Sequence, residues 1–274
     1  MKEVDMPHND NAIETIAITR YSKGLRLNTD DYVSVEEPLQ MIVNGRPATI
    51  TMRTPGDDVA LALGFLFTEG VIRTYSDIKL AASSDENTVT IITAETGLPA
   101  QTMERNFYST SSCGVCGKAS VDQIAAQSRY LDFEQEIKVN SQILMTLPDK
   151  LREVQAAFDM TGGIHASAIF DVSGQYIRHN EDVGRHNALD KLIGYALQQH
   201  ELPLVHHVLL LSGRASFELV QKASMAGIQM IVAVGAPSSL AVSLAKRNEI
   251  TLIGFLKKSG FNIYTRPDRI LWED

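Results

Sequence analysis

The feature that most constrains the fold is a regular alternation of apolar strands and helices in the second half of the chain. The strand-like runs VHHVLLL (205–211) and MIVAVGA (230–236) each precede a short loop and a helical segment, FELVQKASMAG (217–227) or LAVSLAKRN (240–248). Strands and helices at this spacing form right-handed crossovers, which place successive strands parallel in one sheet. We therefore predict an α/β domain with a mainly parallel sheet.

Two further patterns precede this run. The segment IHASAIFDVSGQYIRH (164–179) predicts a β-hairpin that turns at Ser173 and Gly174, and LPDKLREVQAAFDM (147–160) predicts one helix. The first half instead alternates apolar and polar residues and has an Asn44-Gly45 pair suited to a tight turn, so we predict a small antiparallel sheet there.

A buried helix is predicted after this sheet, with Asp57 or Asp58 as its cap and its end near Gly70. The change in pattern predicts two domains. The first, residues 1–110, is a small α+β domain that ends in a mobile loop at about 100–119. The second, residues 111–274, is the α/β domain.

Composition restricts the partners and the compartment. The 274 residues are 44% hydrophobic and 21% charged, with a formal net charge of −8. A chain this acidic lacks the overall attraction for polyphosphates that non-specific nucleic-acid binding requires. No apolar run approaches the roughly 18 residues of a membrane span. We expect a cytoplasmic protein that binds neither nucleic acid nor membrane.

Both cysteines, Cys113 and Cys116, lie in the segment SSCGVCGKAS (111–120). A structural zinc site needs four ligands, and one CxxC pair supplies two, so we expect no metal. A zinc deaminase needs a glutamate two residues after its histidine, but the corresponding residue after His165 is Ser167. A dithiol redox pair, a sulfur-carrying thiol and an inert pair all remain compatible with the spacing.

Two short loops follow apolar strands and precede helices, where unpaired N–H groups attract anions. Either loop could hold a phosphate, with positive charge added by Arg214, although the same residue types are ordinary in turns and caps. The candidate residues are Ser212, Gly213 and Arg214 in one loop and Pro237 and Ser238 in the next.

The segment EDVGRHNALD (181–190) is ambiguous. Asp182 suits a helix cap, and Arg185 or His186 could contact a ligand, but a satisfied polar helix start explains them equally well. His165 could face the same pocket or simply pack.

Several long motifs, in order from about residue 20 to the C-terminus, resemble the FdhD/NarQ family of formate dehydrogenase accessory sulfurtransferases. They are SSCGVCGKAS, TGGIHASAIF, EDVGRHNALDKLIG, LSGRASFELVQKASMAGI, GAPSSLAVSLA and TLIGFLKKSGFNIYTRPDRI.

The resemblance implies a sulfur carrier with a cysteine persulfide intermediate. It would take sulfane sulfur from a cysteine desulfurase and pass it to the molybdenum cofactor, bis-molybdopterin guanine dinucleotide, before the cofactor enters apo formate dehydrogenase. The resemblance assigns Cys113 as the persulfide residue and Cys116 as an auxiliary thiol. The resemblance also implies that the second domain is similar in fold to cytidine deaminases.

The resemblance further places a cofactor contact in the segment FLKKSGF. The residues concerned are Phe255, Leu256, Lys257, Lys258, Ser259 and Gly260. The two lysines would pair with pyrophosphate and Gly260 would permit a tight turn, although a solvated hairpin has the same composition.

Two other functions remain open without the resemblance. One is a chaperone that holds the cofactor or the apoenzyme without sulfur transfer, and the other is a CxxC dithiol oxidoreductase.

A cofactor with two guanine arms also favours a symmetric homodimer.

Overall fold

The computed structural model describes residues 12–94, residue 130 and residues 136–272. The cysteine loop predicted at 100–119 and the predicted domain boundary at residue 110 lie outside the described residues, so both stay predictions. None of the described helices is long and apolar enough to cross a membrane.

The described residues form fourteen strands and six α-helices. The strands are β1 (Ile13–Ser22), β2 (Leu25–Ser34), β3 (Glu37–Val43), β4 (Arg46–Arg53), β5 (Ile78–Asp85), β6 (Thr88–Thr93), β7 (Val139–Asn140), β8 (His165–Phe170), β9 (Tyr176–Asp182), β10 (Val208–Leu211), β11 (Met230–Ala233), β12 (Thr251–Lys257), β13 (Gly260–Thr265) and β14 (Ile270–Leu271). The helices are α1 (Asp58–Thr68), α2 (Ser141–Arg152), α3 (Ala156–Thr161), α4 (Arg185–Gln198), α5 (Phe217–Met225) and α6 (Ser239–Arg247).

The largest sheet has six strands in the order β13-β12-β11-β10-β8-β9. Its centre, β10-β11-β12, is parallel and connected through α5 and α6, which confirms the α/β class. The remaining pairings are antiparallel, so the parallel part is smaller than predicted. Two of these three pairings belong to the hairpins β8–β9 and β12–β13, which reverse the chain at Gly174 and Gly260 without a crossover.

Both faces of this sheet are covered, because its strands are apolar on both sides. One core cluster joins Leu209 and Ile231 to helices α1, α4, α5 and α6. The other joins Leu210 and Val232 to α2. Neighbouring strand residues therefore belong to opposite cores, as the alternation of side chains along a strand requires.

The segment predicted as one helix at 147–160 is instead two, α2 and α3. Gln155 interrupts it with non-helical backbone angles. Beyond the break, the Glu181 carboxylate accepts hydrogen bonds from the backbone N–H groups of Ala157 and Phe158 at 3.1 and 3.0 Å. These are the donors that the first turn of a helix leaves unpaired, so Glu181 stabilises a separate helix start.

The N-terminal part contains a four-stranded sheet in the order β4-β3-β6-β5. The predicted turn at Asn44 and Gly45 is confirmed, with φ of 51° and 75°. The sheet is not purely antiparallel, because β3 and β6 pair in parallel. Strands β1 and β2 pair only with each other among the described residues, as a separate ribbon.

Helix α1 lies where the sequence predicts it and ends just before Gly70, whose φ is 74°. The predicted side-chain cap is wrong. Asp57 occupies the cap position, but only its backbone carbonyl oxygen bonds the helix, accepting from the N–H of Leu61 at 2.8 Å. Its carboxylate instead accepts a hydrogen bond from Asn180 at 2.9 Å. Asp58 pairs with the buried Arg53 at 2.9 Å.

Helices α1 and α4 cross backbone to backbone. A β-carbon on Gly64 would lie 1.9 Å from the carbonyl oxygen of Asp190, and one on Gly194 would lie 1.8 Å from that of Ala60. Such an approach is possible only for residues without a β-carbon. The crossing joins the N-terminal sheet to the six-stranded sheet through one shared core.

Two buried ion pairs reinforce this junction. Lys191 bonds Asp182 at 2.8 Å and also donates to the carbonyl oxygen of Thr54 at 2.8 Å. Lys222 bonds Asp190 at 2.8 Å and donates to the Thr68 hydroxyl at 2.9 Å. Each pair is satisfied by further hydrogen bonds, the condition under which buried charges are tolerated.

Replacing Gly64 by alanine is expected to destabilise the protein by about 2 kcal/mol or more, because the new methyl group forces the two helices apart. This loss is net of the roughly 1 kcal/mol that alanine gains in a helix interior. Urea unfolding of Gly64→Ala measures the effect, with Gly163→Ala as the control, since a β-carbon there has no neighbour closer than 3.8 Å. Equal unfolding free energies for Gly64→Ala and wild type would contradict the crossing.

Candidate functional site

The three segments predicted to bind an anionic ligand lie side by side at one edge of the six-stranded sheet. The backbone N–H of Gly235 donates to the carbonyl oxygen of Gly213 at 2.9 Å, and that of Phe255 donates to the carbonyl oxygen of Gly235 at 3.1 Å. Ala215 and Pro237 also form an isolated parallel bridge. The loops that follow β10 and β11 thus bond to each other and to β12.

Two glycines that the sequence reasoning missed allow this close approach. A β-carbon on Gly235 would lie 2.9 Å from the backbone nitrogen of Arg214, and one on Gly254 would lie 2.8 Å from Cδ of Pro237. Their position at the ends of apolar strands, in VAVG and TLIG, is a signal that could have identified them.

The serines of the two loops are already engaged by the backbone. The Ser212 hydroxyl accepts a hydrogen bond from the N–H of Ala166 at 2.8 Å. Ser238 caps α6, where its hydroxyl accepts from the N–H of Ala241 at 3.2 Å. Gly213 is partly exposed and Arg214 is exposed, so this loop presents one cation to solvent.

The segment 255–260 forms the end of β12, the turn and the start of β13. Phe255 has a φ of 55° and its side chain is 46% exposed. This conformation is rare for an aromatic residue and coincides with a register shift between Gly254 and Lys257. Leu256, in contrast, is 1% exposed and belongs to the second core, so its side chain does not face a ligand.

The two lysines of this turn differ in their environments. Both are exposed, but Lys258 is bound to Asp149 of α2 at 2.8 Å. The hydrogen bond with Asp149 raises the pKa of Lys258 above its ordinary value. Ser259 is exposed and Gly260 adopts a φ of 142°, which favours glycine.

A cavity of about 500 Å³ adjoins the same edge and contains polar residues that the sequence reasoning missed. Ser212 and His165 contribute to its wall together with the buried Gln155. The full lining is Pro148, Leu151, Arg152, Gln155, Phe158, Gly162, Gly163, Ile164, His165, Ser212 and Val234.

His165 is half-buried beside the strand-end loops. It therefore lies near the predicted pocket, one of the two alternatives that its sequence position left open. A β-carbon on Gly213 would lie 3.4 Å from Nδ1 of His165. Burial and then the positive charge of Arg185 lower the pKa of His165, against a smaller opposite effect of Asp182. The ring therefore favours its neutral form, in which one nitrogen donates and the other accepts.

Arg185 begins α4 near this histidine, and its Nε is buried without a partner in the described part of the chain. Asp182 is not the cap of α4, because that position is Gly184 and no side chain caps the helix. Asp182 is instead fully buried two residues earlier, where its Oδ1 accepts from the N–H of Gly184 at 2.8 Å. His186 Nε2 lies 3.3 Å from the hydroxyl of Ser216 at the start of α5.

The predicted catalytic residues Cys113 and Cys116 lie outside the described residues, so their roles stay predictions. Within residues 12–94 and 136–272 no group of three or more His, Cys, Asp or Glu side chains is placed to hold a metal ion.

Comparison with known proteins identifies the family. The family model described as FdhD/NarQ matches residues 34–271. The chain belongs to the FdhD/NarQ family. It is 48% identical over 264 residues to the sulfur carrier protein FdhD of Streptomyces coelicolor, covering 92% of this chain and 94% of that protein. It is 40% identical over 258 residues to the protein of the same name from Sulfolobus acidocaldarius, covering 94% and 98%.

The fold also matches a solved structure. A putative formate dehydrogenase accessory protein from Desulfotalea psychrophila superposes with a TM-score of 0.74 at 22% identity, covering 95% of this chain and 100% of that one. This likeness shows that the two chains share one fold across both the N-terminal sheet and the six-stranded sheet. The similarity to cytidine deaminases implied by the motifs stays a prediction.

The environment of His165 predicts a pH dependence of stability. The pKa of His165 in the folded protein lies below the ordinary value of 6.5. As the pH falls below 6.5, the unfolded chain therefore takes up a proton on this histidine more readily than the folded chain does, which favours unfolding. Stability should therefore fall between pH 7.5 and pH 5.5, and His165→Gln should lose less of it than wild type. Urea unfolding at both pH values measures this difference.

An NMR titration provides the complementary control. Arg185→Gln should raise the pKa of His165 toward its ordinary value, since it removes the nearby positive charge. An unchanged His165 titration in Arg185→Gln, or the same loss of stability in His165→Gln and wild type, would contradict this account.

Proposed function

We propose that this protein is a sulfur carrier and sulfurtransferase for the molybdenum cofactor. It accepts sulfane sulfur from a cysteine desulfurase as a persulfide on Cys113. It then transfers the sulfur to bis-molybdopterin guanine dinucleotide before that cofactor is inserted into apo formate dehydrogenase.

Family membership over residues 34–271 is the observation that carries the proposal. Relatives 40 to 48% identical to this chain are named sulfur carrier proteins, and the similar solved structure is that of a putative formate dehydrogenase accessory protein. The sheet edge adds independent support, because it presents helix N-termini and cations where a phosphate-rich substrate would bind.

The sulfur chemistry follows from the two thiols. The Cys113 thiolate attacks the outer sulfur of the desulfurase persulfide, and the desulfurase cysteine leaves as a thiolate. Release of the carried sulfur as sulfide requires two electrons. Attack by Cys116 on Cys113 supplies them, leaving a Cys113–Cys116 disulfide that a cellular thiol reduces. A soft sulfur donor suits a molybdenum acceptor.

The nucleotide arms of the substrate would lie along the strand-end loops. Helices α5 and α6 begin there, so their first N–H groups face an incoming phosphate. Arg214 precedes the cap of α5 by two residues and Lys257 ends β12, and both are exposed. Lys258 would have to give up its ion pair with Asp149 to bind a phosphate. The neutral ring of His165 would offer a hydrogen bond to an uncharged part of the substrate.

The partners follow from the same proposal. They are the cysteine desulfurase that donates sulfur, the cofactor, and the apo formate dehydrogenase that receives it, all in the cytoplasm. Because the cofactor carries two guanine arms, we also propose that the protein acts as a homodimer, in which each copy holds one arm.

Mass spectrometry tests the carrier step. After incubation with an active cysteine desulfurase and L-cysteine without reductant, the protein should gain one sulfur atom that maps to Cys113. Dithiothreitol should remove it, and Cys113→Ala should not acquire it. Cys116→Ala should still gain the sulfur, because it removes only the resolving thiol.

Formate dehydrogenase activity in cells that lack the wild-type protein gives the matching functional result. Cys113→Ala should leave the enzyme inactive. Full activity with Cys113→Ala, together with no sulfur gained in vitro, would favour the chaperone and reject the carrier.

The binding site predicts the effect of removing single cations. Arg214→Ala and Lys257→Ala should each weaken binding of guanosine diphosphate about tenfold, as expected for one charge-assisted hydrogen bond. Lys246→Ala is the matched control, since this exposed lysine lies in the last turn of α6, away from the strand ends. Isothermal titration calorimetry measures the three affinities, and equal losses in all of them would reject the site.

A further inference from the structure

Strand β9 is an edge strand of the six-stranded sheet, and no described strand pairs with its outer side. An edge strand presents a row of backbone N–H and C=O groups to which another chain can bond. The direction in which each residue of β9 turns its backbone therefore decides what this edge offers to a partner.

The neighbouring strand β8 fixes that direction. The carbonyl oxygen of Ala166 accepts a hydrogen bond from the N–H of Ser212 at 3.0 Å, and the N–H of Ala166 donates to the Ser212 hydroxyl at 2.8 Å. The backbone of Ala166 thus faces the end of β10. Successive residues of an antiparallel strand turn their backbone groups to opposite sides. Ser167 therefore turns its backbone toward β9, where its register partner is Asn180.

His179 and Glu181, on either side of Asn180, then turn their backbone groups outward. The carbonyl oxygen of His179 and both the N–H and the carbonyl oxygen of Glu181 have no partner among the described residues. The side-chain oxygen of Asn180 is also buried without a partner in the described part of the chain. The edge thus combines a free donor with free acceptors, an arrangement that another extended backbone matches.

A groove of about 630 Å³ lies along this edge. His179, Asn180 and Glu181 line it, and strand β1 contributes Ile13 and Thr15. The unpaired groups of β9 therefore adjoin open space that a further strand can enter.

The two sides of the groove differ in chemistry. Glu181 lies on the sheet face that packs against α3, since its carboxylate bonds the first turn of that helix. Asn180 lies on the opposite face, where its side-chain amide donates to the Asp57 carboxylate at 2.9 Å. The groove residues in and around α3 are all apolar; they are Val154, Ala156, Ala157, Met160 and Ile164.

The side that holds Asp57 is acidic. Asp57 lines both the groove and an adjoining cleft of about 880 Å³. The cleft is lined by the carboxylates of Glu14, Glu37, Asp57, Asp58, Asp85 and Glu86. Its buried cation, Arg53, is already paired with Glu37 and Asp58, and in the groove Lys191 is held in a buried ion pair. An incoming cation would therefore meet an excess of negative charge.

We propose that this groove binds an extended segment of a partner protein, which adds to the outer edge of β9 as a seventh strand and alternates apolar with cationic side chains. Alternate side chains of a strand point to opposite faces of the sheet, so one set packs against α3 and the other reaches Asp57. Backbone bonds supply the affinity, and the side chains supply the selectivity. The inference concerns protein recognition and goes beyond the sulfur chemistry proposed above.

The chain's own N-terminal segment does not fit this pattern. The eleven residues that precede Ala12 contain three carboxylates and one lysine, so their charge has the same sign as that of the cleft.

Fluorescence anisotropy with a labelled synthetic peptide tests the groove. Lys-Val-Lys-Val-Lys should bind the full chain, and Glu-Val-Glu-Val-Glu should bind at least about tenfold more weakly, because its charges repel the carboxylates. Met160→Lys should weaken binding of the lysine peptide about tenfold, since it replaces an apolar contact by a like charge. The matched control is Leu240→Lys on α6, which should bind like wild type; Met160 and Leu240 are 45% and 47% exposed.

Methylation of the peptide backbone separates strand addition from simple charge attraction. In an extended segment, alternate residues direct their N–H groups to opposite sides. Methylating the nitrogens of one set, either the valines or the lysines, should weaken binding at least about tenfold, and the other set should bind like the parent peptide. The valine set faces β9 in an antiparallel segment and the lysine set in a parallel one. Equal affinities of the two methylated peptides would reject strand addition.

Hydrogen exchange measured by NMR locates the bound peptide. The Glu181 amide should exchange at least about tenfold more slowly when the peptide is bound. Amides of β13, the opposite edge strand, should not change. A peptide that binds without protecting Glu181 would reject the site. A Glu181 amide protected before any peptide is added would also reject the proposal, because the groove would then hold a segment of this chain or a second copy.

Discussion

The structure depends on the contact between helices α1 and α4, which is as close as two backbones allow. Gly64 and Gly194 remove the side chains that would otherwise keep the helices apart. The main chain of one helix thus packs on that of the other, and the core continues from the N-terminal sheet into the six-stranded sheet. The ion pairs of Asp182 with Lys191 and of Asp190 with Lys222 surround this contact. Because α4 begins at Arg185, the same contact fixes the arginine that influences His165.

Local patterns in the sequence were enough to predict most elements of the fold. Apolar runs separated by helical segments predicted β10 to β12, and Asn44-Gly45 predicted a turn, because both depend on residues close in sequence. The adjacency of the strand-end loops was also predictable, since parallel strands end at one edge. The break between α2 and α3 was not, because it depends on Glu181, a residue more than twenty positions away.

The side chains of the site were likewise only partly predictable from the sequence. Lys257 and Lys258 are equivalent in sequence, yet only the tertiary fold reveals that Asp149 neutralises one of them. Leu256 lies between exposed residues but faces the second core, because the register shift after Gly254 turns it inward. Gln155 attracts no notice in a helical pattern, and only the fold places it in a cavity wall. Contacts between distant segments therefore decide which predicted residues can touch a substrate.

The backbone bonds between the strand-end loops have a consequence for molecular recognition. Gly213, Gly235 and Phe255 are joined in a row, so the loops after β10 and β11 and the end of β12 cannot move apart independently. Neighbouring strands are about 4.8 Å apart, so anchor points on the first and third strands are separated by roughly 10 Å. In the complex proposed above, groups of the substrate that contact the outer two of these three segments would therefore lie roughly 10 Å apart.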